Sequence, residues 1–465
     1  MIEISINELL KVSNGKLLKD RIASNKKMKG VSIDSRTLQK GNLFIAIRGE
    51  NQDGHKFIPQ AFEKGAILAV AEKKRVGDIN KEHLPIILVG DTKKTLYDLA
   101  WWYRRKFNLP TVGITGTNGK TTTKEMVGAV LSEKYKVLRS PKSYNNLIGI
   151  PLTLFQIELQ TEILVLELGM NSLGEIAQLT KLTQPDWGVI TNIGPAHLEF
   201  MKSPENIAKA KFELADNMAK DKTLVLNADD IFLNRRIKEE EKRVITFGIE
   251  KQADFRATSI ESNGSGHYHF KVNSQPQIRL KVLGRHNIYN ALAAFALAKE
   301  LGIDEDLIKQ RLENYKPAQL RMEWFKVRGI TLINDAYNAN PISTQNALET
   351  LDQIKSQGRK IAVLGDMLEL GEKSDEFHFN IGEQVGQLNL DKLLLRGEFS
   401  ESVAAGATGK GMDKTKIEIF KENKKISSWL LDNLKTGDMV LFKASRKMRF
   451  EEIVEELNNF LNRQN

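Results

Sequence analysis

The sequence Gly-Ile-Thr-Gly-Thr-Asn-Gly-Lys-Thr-Thr occupies residues 113–122, between a predicted strand and a predicted helix. Glycines at this spacing let backbone N–H groups point at phosphate oxygens, and the start of the following helix adds a favourable partial charge. Lys120 would then reach the β- and γ-phosphates of a nucleotide, and Thr121 would bind Mg²⁺. A strict phosphate loop has glycine where this chain has Ile114. We therefore predict a variant phosphate loop, with a glycine-rich structural turn as the alternative.

Short apolar runs alternate with helical patterns on both sides of this loop. Such alternation is typical of parallel sheets that are covered on both faces. Breaks at 108–110 and near 316–317 predict an α/β protein of three domains, 1–109, 110–315 and 316–465. A central parallel-sheet P-loop ATPase domain would be flanked by an N-terminal α/β domain and a C-terminal Rossmann-like α/β domain. The predicted strands are 42–47, 67–71, 112–115, 163–168, 188–191, 223–227, 330–334, 360–364, 392–395 and 439–443.

The composition restricts the class of protein. The 465 residues include no cysteine, which excludes disulfides, cysteine nucleophiles, thiolate zinc sites and iron–sulfur clusters. The net charge is +10, but charges of both signs are interspersed, so we expect anionic small molecules rather than nucleic acid as partners. The apolar runs are far shorter than the about 20 residues of a membrane helix. Glu3 and Glu8 argue against a signal peptide. We expect a monomeric, cytoplasmic protein without stable membrane insertion.

Two chemically active side chains follow predicted strands. Glu167 lies at the end of the strand 163–168, and His197 follows the strand 188–191 after a short loop. Ligands of open α/β sheets bind at the carboxyl ends of the strands. Glu167 and His197 are therefore candidates to bind or orient Mg²⁺ around a γ-phosphate. For each residue taken alone, capping or packing is an equal alternative.

Two helices carry further candidates. A long alanine-rich helix begins near residue 286, where we expect Asn287 to act as the helix cap. Asn290 lies in the first turn and is a candidate to read an adenine edge, although the residues alone favour a structural role for it. A capping role alone is the alternative for Asn287. The predicted helix 95–107 ends in the aromatic and basic residues 101–105. We favour packing of these residues at a domain seam over stacking on nucleic-acid bases.

The motifs occur in the order found in the Mur ligases, and the chain resembles that family over essentially its whole length. Mur ligases are ATP-dependent amide ligases of peptidoglycan precursor synthesis. The resemblance implies ATP and Mg²⁺ as cofactors. It rests on Gly116-Thr-Asn-Gly-Lys-Thr-Thr, Glu167-Leu-Gly169, His197, Ala210-Lys211-Phe-Glu213 and His286-Asn287 with Asn290.

The two ends of the chain narrow the resemblance. Residues 32–36 (SIDSR) and 53–55 (DGH) resemble the UDP-binding domain of the members that act late in the precursor pathway. Residues 335–341 (DAYNANP) and 364–372 (LGDMLELGE) resemble the members that add D-alanyl-D-alanine; diaminopimelate- and lysine-adding members usually differ there. Ala444 stands where the family usually has glycine. We expect a backbone without positive φ at this position, which leaves the geometry of the following loop open.

The resemblance implies that D-alanyl-D-alanine is joined to UDP-N-acetylmuramoyl-tripeptide through an acyl phosphate. The alternative to substrate binding by Arg36 is an ion pair with Asp34. The alternative to nucleotide binding by Arg321 and Asp335 is a surface ion pair. The resemblance implies that the catalytic residues are Lys120, Glu167, His197 and Lys211, and that the metal ligands are Thr121, Glu167, His197 and Lys211 as a carbamate. The implied ATP-binding residues are Gly116, Thr117, Asn118, Gly119, Lys120, Thr121, Thr122, Asn287, Asn290, Arg321 and Asp335. The implied residues for the UDP-linked substrate are Ser35, Arg36, Asn145 and Asn146, and those for the dipeptide or for domain closure are Tyr337, Asn338, Asn340, Ser445 and Arg446.

Lys211 also stands out by its position on a predicted helix. Ser203-Pro204 is a good helix start, and a polar stripe runs along one side from Glu205 to Lys220. Lys211 falls outside that stripe, among apolar residues, and burial there would lower its pKa. A neutral amine can react with CO₂ to give a carbamate, an oxygen ligand suited to Mg²⁺. The alternative is a stem on the apolar face with the amine in water.

Three other functions agree less well with the sequence. A folylpolyglutamate synthase, a related ligase, would lack the N-terminal pattern at 34–36. A GTP-driven switch needs Asn-Lys-x-Asp, and the nearest match at 25–28 lacks the aspartate. A nucleic-acid motor is suggested by the net charge alone. Whether lysine or diaminopimelate is the third peptide residue stays open.

Overall fold

The computed structural model describes residues 2–18, 25–78, 84–273 and 277–463. Within this part of the chain, three large sheets follow one another in sequence, each with helices packed against it, and a two-stranded sheet accompanies the first of them. Apolar residues of all three regions belong to one contiguous cluster, which includes Leu99, Ile150 and Leu348. The three α/β units therefore pack together rather than lie apart.

The first unit contains a five-stranded sheet in the order β2-β7-β6-β5-β4 and a separate antiparallel pair, β1 and β3. Strands β4 to β7 are parallel, and β2 runs antiparallel to β7. Its elements are β1 (Glu3–Ser5), α1 (Ile6–Ser13), β2 (Lys16–Leu17), β3 (Lys27–Lys29), β4 (Val31–Ser32), β5 (Leu43–Ile45), α2 (Ile58–Glu63), β6 (Leu68–Glu72), β7 (Ile86–Val89) and α3 (Thr92–Arg104).

The second unit contains a nine-stranded sheet in the order β16-β15-β14-β13-β12-β11-β8-β10-β9. Strands β8 to β14 are parallel, and β15 and β16 continue the sheet in antiparallel fashion. Its elements are β8 (Thr111–Thr115), α4 (Lys120–Leu131), β9 (Val137–Arg139), α5 (Gly149–Leu154), β10 (Ile163–Glu167), α6 (Glu175–Thr183), β11 (Trp187–Ile190), α7 (Leu198–Met201), α8 (Pro204–Asn217), β12 (Thr223–Asn227), α9 (Ile231–Glu239), β13 (Arg243–Gly248), β14 (Phe255–Ser262), β15 (His267–Val272), β16 (Ile278–Leu283), α10 (His286–Glu300) and α11 (Glu305–Glu313).

The third unit contains a six-stranded sheet in the order β17-β18-β22-β19-β20-β21, in which only β17 is antiparallel to its neighbour within the described residues. Its elements are β17 (Glu323–Val327), β18 (Ile330–Asn334), α12 (Pro341–Gln353), β19 (Lys360–Gly365), α13 (Ser374–Gln387), β20 (Lys392–Arg396), α14 (Ser400–Gly409), β21 (Ile417–Phe420), α15 (Asn423–Asn433), β22 (Met439–Lys443) and α16 (Glu451–Arg463).

The predicted strands all exist, and 223–227, 330–334 and 439–443 have the predicted bounds. The predicted helix 95–107 is wrong at both ends. Helix α3 begins at Thr92, because Asp91 caps it and its side chain accepts from the N–H groups of Lys93 and Lys94, and the helix ends at Arg104. The strands β13 to β16 were not predicted. They lie toward the far edge of the sheet, where alternating polar residues replace the continuous apolar pattern.

Helix α3 forms the seam between the first two units, as predicted, and packs against α5 and α6. Tyr103 Oη donates to Ile157 O at 2.9 Å, and Arg104 Nε donates to Thr183 O at 3.3 Å. Trp101 departs from the prediction, since it is 41% exposed and lies beneath the Arg105 guanidinium. The seam fixes the first unit against the helices that flank the central sheet.

Candidate active site

A cleft of about 630 Å³ lies where the carboxyl ends of the central strands face the third unit. Most of the residues singled out from the sequence line it, and Ser35, Arg36, Ser445 and Arg446 are not among the lining residues. The lining residues named in the sequence analysis are Gly116, Thr117, Asn118, Gly119, Lys120, Thr121, Thr122, Asn145, Asn146, Glu167, His197, Lys211, Asn287, Asn290, Arg321, Asp335, Tyr337, Asn338 and Asn340.

The glycine-rich loop runs from β8 into α4 and leaves no room for side chains at two positions. Gly116 and Gly119 have φ of 143° and 81°, the left-handed region that favours glycine. A Cβ on Gly119 would overlap Asn290 Oδ1. Lys120 Nζ folds back onto the loop and donates to Gly116 O at 2.8 Å and Thr117 O at 2.9 Å. Burial lowers the pKa of Lys120, although the nearby Glu167 opposes this shift.

Glu167 ends β10 directly beside the start of α4. Its side chain is 1% exposed, Thr121 Oγ1 donates to Oε2 at 2.7 Å, and Asn145 Nδ2 donates to Oε1 at 2.9 Å. The parallel pairing of β8 with β10 puts the loop and the carboxylate at one edge of the sheet. A hydroxyl and a carboxylate are hard oxygen donors of the kind that Mg²⁺ prefers.

His197 meets a residue of the third unit. Its backbone has φ of 55°, and Nδ1 lies 2.6 Å from Glu369 Oε2. The hydrogen bond from His197 lowers the pKa of Glu369. Glu199 N also donates to Glu369 O at 3.0 Å. Only Nε2 of the imidazole therefore stays available for a ligand. The partner lies 172 residues away along the chain and was not predicted.

Lys211 lies on the buried face of α8, as predicted. Ser203 caps this helix, and Lys211 is 3% exposed while Lys209 is exposed. Burial, with a smaller contribution from the charge of Lys120, lowers the pKa of Lys211 well below its usual value. The predicted polar stripe is wrong at Glu213, because its carboxylate accepts from backbone N–H groups at the start of α6. The predicted stripe also extends to Lys220, whereas the helix ends at Asn217.

The prediction that Asn287 caps α10 is wrong. The helix begins at His286, and Asn287 Nδ2 instead donates to Leu283 O at 2.7 Å. Asn287 Oδ1 accepts from Asn290 Nδ2 at 2.8 Å, and Asn290 Oδ1 accepts from Thr123 Oγ1 at 3.2 Å. The two amides thus join α10 to α4. Burial lowers the pKa of His286 to about 4, so its imidazole is neutral at pH 7.

The third unit contributes a buried ion pair at the ends of β18 and β22. Lys443 Nζ lies 2.6 Å from Asp335 Oδ2, and both residues are buried. Met322 N also donates to Asp335 Oδ1 at 3.0 Å. The Arg321 guanidinium lies 4.0 Å from the centre of the Tyr337 ring. The alternative of a surface ion pair for Arg321 and Asp335 is therefore wrong, and Lys443 is a cleft residue whose role the sequence analysis missed.

Amide and hydroxyl groups join the third unit to the phosphate loop. Asn118 and Asn340 exchange two side-chain hydrogen bonds, at 3.2 Å and 2.8 Å. Asn340 also caps α12, since its Oδ1 accepts from Ser343 N. Tyr337 Oη is hydrogen-bonded to Ser143 Oγ. The structure therefore has the third unit docked directly on the loop.

The four candidates outside the cleft have local partners. Ser35 Oγ donates to Gln60 Oε1 at 2.7 Å, and the exposed Arg36 pairs with Asp34 at 2.7 Å, the alternative arrangement given above. Ser445 Oγ accepts from Leu368 N at 2.9 Å, next to Glu369. Arg446 lies 2.9 Å from Glu451 Oε1. Ala444 has no positive φ, as expected for alanine.

The side chains of the cleft include oxygen donors that could hold a divalent cation. Among the described residues, no three His, Cys, Asp or Glu side chains come together in a way that could hold a metal ion. Mg²⁺ does not require such a cage, because it usually keeps several waters and takes one or two protein oxygens together with substrate phosphates. Thr121 and Glu167, adjacent to the phosphate loop, fit that pattern.

Family models match three parts of the chain in order. Residues 27–103 match the Mur ligase family, catalytic domain, residues 114–298 the Mur ligase middle domain, and residues 320–446 the Mur ligase, glutamate ligase domain. The chain belongs to the Mur ligase family. Its three α/β units correspond to the N-terminal, middle and C-terminal domains of that family.

Two similar proteins are both named UDP-N-acetylmuramoyl-tripeptide–D-alanyl-D-alanine ligase. The chain is 37% identical to the UDP-N-acetylmuramoyl-tripeptide–D-alanyl-D-alanine ligase of Bacillus subtilis, over 92% of this chain and 93% of that protein. It is 32% identical to the ligase of that name from Escherichia coli, over 98% and 99%.

Solved structures agree with the sequence matches. MurF from Acinetobacter baumannii superposes with a TM-score of 0.88 at 29% identity, covering 99% of both chains. MurF ligase from Thermotoga maritima in complex with ADP superposes with a TM-score of 0.81 at 30% identity, covering 94% of this chain and 99% of that one. In the part of this chain that the structure describes, no helix is long and apolar enough to cross a membrane.

Proposed function

We propose that the protein is an ATP-dependent ligase that joins D-alanyl-D-alanine to the terminal carboxylate of UDP-N-acetylmuramoyl-tripeptide. One observation carries this proposal: a phosphate loop of the middle domain and the 335–341 segment of the C-terminal domain line the same cleft. The relatives that share this architecture bear the name of that ligase. We divide the chain into a UDP-substrate domain (1–109), an ATP domain (110–315) and a ligase domain (316–465).

The chemistry follows from the weakness of a carboxylate as an electrophile. A carboxylate oxygen of the tripeptide attacks the γ-phosphorus of ATP, the bond to the β-phosphate oxygen breaks, and ADP and an acyl phosphate form. The amine of D-alanyl-D-alanine then attacks the acyl carbon, and phosphate leaves from the tetrahedral intermediate after the amine loses a proton. The acyl phosphate must be kept from water. Docking of the C-terminal domain on the phosphate loop serves this purpose.

The phosphate loop binds and orients the nucleotide. Its backbone N–H groups and the start of α4 face the phosphates, and Lys120 exchanges its two carbonyl contacts for phosphate oxygens. The Lys120 ammonium group then stabilises the charge that develops on the transferring phosphoryl group. Asn287 and Asn290 set the distance between α10 and the loop, beside the nucleotide.

Thr121 and Glu167 are the residues that would hold Mg²⁺, together with His197 Nε2 and a modified Lys211, which line the same cleft. The bound cation would neutralise phosphate charge during transfer. The lowered pKa of Lys211 supports carbamate formation, because a neutral amine can attack CO₂ and release a proton. The carbamate would turn a buried amine into an oxygen donor.

The two other substrates are assigned to further residues of the cleft. Asn145 and Asn146 line the cleft and would bind the UDP-linked substrate, and Ser35 and Arg36 would bind its UDP end beyond the cleft. Tyr337, Asn338 and Asn340 also line the cleft and would bind the dipeptide. Ser445 and Arg446 act there indirectly, since Ser445 holds the segment that carries Glu369. We place the enzyme in the cytoplasm, where ATP and nucleotide-linked precursors are found.

The proposal is tested by measuring ADP release and product mass with ATP, Mg²⁺ and UDP-N-acetylmuramoyl-tripeptide. Addition of D-alanyl-D-alanine should start steady ADP release and yield a product heavier by one dipeptide minus water. Parallel reactions with lysine- and diaminopimelate-containing tripeptides identify the third residue. If no dipeptide is incorporated with either tripeptide, the proposed function is wrong.

A further inference from the structure

Lys124 is a fully buried cation that the reaction described above does not use. It lies on α4, four residues after Lys120, and is 0% exposed. Its Nζ donates to the backbone oxygens of residues 140 and 142, at 2.7 Å each. Glu125 Oε1 is 3.1 Å away and Glu167 Oε2 is 4.0 Å away. Burial of an ammonium group is costly unless oxygens surround it, and these four oxygens meet that need.

The segment held by Lys124, residues 140–146, touches Glu167 from two sides. Ser140 Oγ accepts from Glu167 N at 3.1 Å, and Asn145 Nδ2 donates to Glu167 Oε1 at 2.9 Å. Between them, Lys142 has φ of 50°, a conformation that costs free energy in a non-glycine residue. The hydrogen bond from Lys124 to the Lys142 carbonyl stabilises this turn.

The same segment also meets its neighbours in the closed cleft. Ser143 is hydrogen-bonded to Tyr337 of the C-terminal domain. Asn145 O accepts from Gly169 N at 2.7 Å, and a Cβ on Gly169 would lie 2.7 Å from Asn145 Cγ. The segment therefore has little freedom to move without displacing Glu167 or the docked domain.

We propose that Lys124 is a positioning residue for the ligase reaction. By holding residues 140–146 against α4, it sets the position of the Glu167 carboxylate and the docking point of Tyr337. Lys124 itself contacts neither nucleotide nor peptide in this account and acts through Glu167 and Asn145. The inference rests on the proposed function, because that function assigns Glu167 to the nucleotide and Mg²⁺ site.

The test compares Lys124→Met and Lys124→Gln with Lys134→Met. Lys134 is an exposed lysine just beyond α4 that donates to Leu301 O at 3.0 Å, so it is a control for loss of a lysine in this region. Calorimetry with a non-hydrolysable ATP analogue gives the Mg²⁺ concentration needed for half-maximal nucleotide binding. Hydrogen exchange reports the opening of residues 140–146. Thermal denaturation shows whether each variant is folded.

Both Lys124 variants should need roughly 10- to 100-fold more Mg²⁺, the usual effect of removing a group that orients a metal ligand. They should also exchange faster at 140–146, and Lys134→Met should match the wild type. Folded Lys124 variants with wild-type Mg²⁺ dependence overturn the proposal, whether or not exchange changes. Failure of both variants to fold also overturns it, since Lys124 would then support the whole core. The binding measurement needs no peptide substrate. It would therefore still test the role of Lys124 if the proposed peptide substrates were wrong.

Discussion

The substitution Asn340→Asp should separate docking of the C-terminal domain from stability of the helix that Asn340 caps. Asn340 Oδ1 accepts from Ser343 N at 2.9 Å, and aspartate caps helices as well as asparagine does. Its Nδ2 donates to Asn118 Oδ1 at 2.8 Å, and aspartate has no such donor. The substitution therefore keeps the cap, adds a favourable charge at the start of α12, and places two oxygens against each other between the domains.

The size of the effect follows from these contacts. A lost hydrogen bond costs about 1 kcal/mol, and leaving Asn118 Oδ1 opposite a carboxylate adds about as much again. A closed state destabilised by about 2 kcal/mol is about 30-fold less populated. We expect kcat/KM for D-alanyl-D-alanine to fall by about that factor, while the midpoint of thermal denaturation stays unchanged or rises.

Steady-state kinetics, thermal denaturation and the radius of gyration from small-angle scattering check this expectation together. Asn51→Asp adds the same charge to an exposed asparagine of the first unit that does not line the cleft, and it should leave all three unchanged. An Asn340→Asp enzyme with wild-type kcat/KM and a wild-type radius of gyration would show that the docked arrangement is not the catalytic one.

The further predictions concern the side chains of Lys120, Arg36 and Lys211. Lys120→Ala should fold normally and lose roughly 100-fold or more in turnover at saturating ATP, the cost of one transition-state donor; near-normal ADP release would refute the role of the phosphate loop. Arg36→Ala should raise KM for the UDP-linked substrate far more than KM for ATP, and equal effects in initial-rate kinetics would leave Arg36 as a partner of Asp34 alone. Lys211→Ala should lose most activity and regain part of it in acetate, which can replace the carbamate oxygens. In CO₂-free buffer the wild type should gain stability as pH rises toward the usual lysine pKa of about 10.4, because the buried amine of Lys211 has a lowered pKa and the unfolded chain binds the extra proton; Lys211→Met should flatten this slope in denaturation midpoints.

Features that depend on local sequence were predictable. The phosphate loop, the position of Glu167 at the end of a strand, and the buried face of α8 all follow from spacing and periodicity over a few residues. The same local rules failed at Asn287, because the helix starts two residues earlier than a cap at 287 requires, with Arg285 at the N-cap position after Gly284 in the left-handed region.

Features that depend on distant partners were not predictable from one sequence. The His197–Glu369 contact and the Asp335–Lys443 pair join residues more than 100 positions apart. Lys124 was missed although its partners lie only 16 and 18 positions away, because its burial depends on carbonyl groups of the irregular segment that follows β9 in the same unit. Polar groups in a cleft between domains are fixed by how the domains pack, and that packing leaves no periodic pattern in the chain.

The route through an acyl phosphate is tested most directly with UDP-N-acetylmuramoyl-tripeptide whose terminal carboxylate carries ¹⁸O on both oxygens. Mass spectrometry of the phosphate released during ligation to D-alanyl-D-alanine measures the transfer. We expect one ¹⁸O in each phosphate, because the carboxylate oxygen that attacks ATP leaves with the phosphoryl group. Phosphate without ¹⁸O, formed at the same rate as the ligated product, would contradict it.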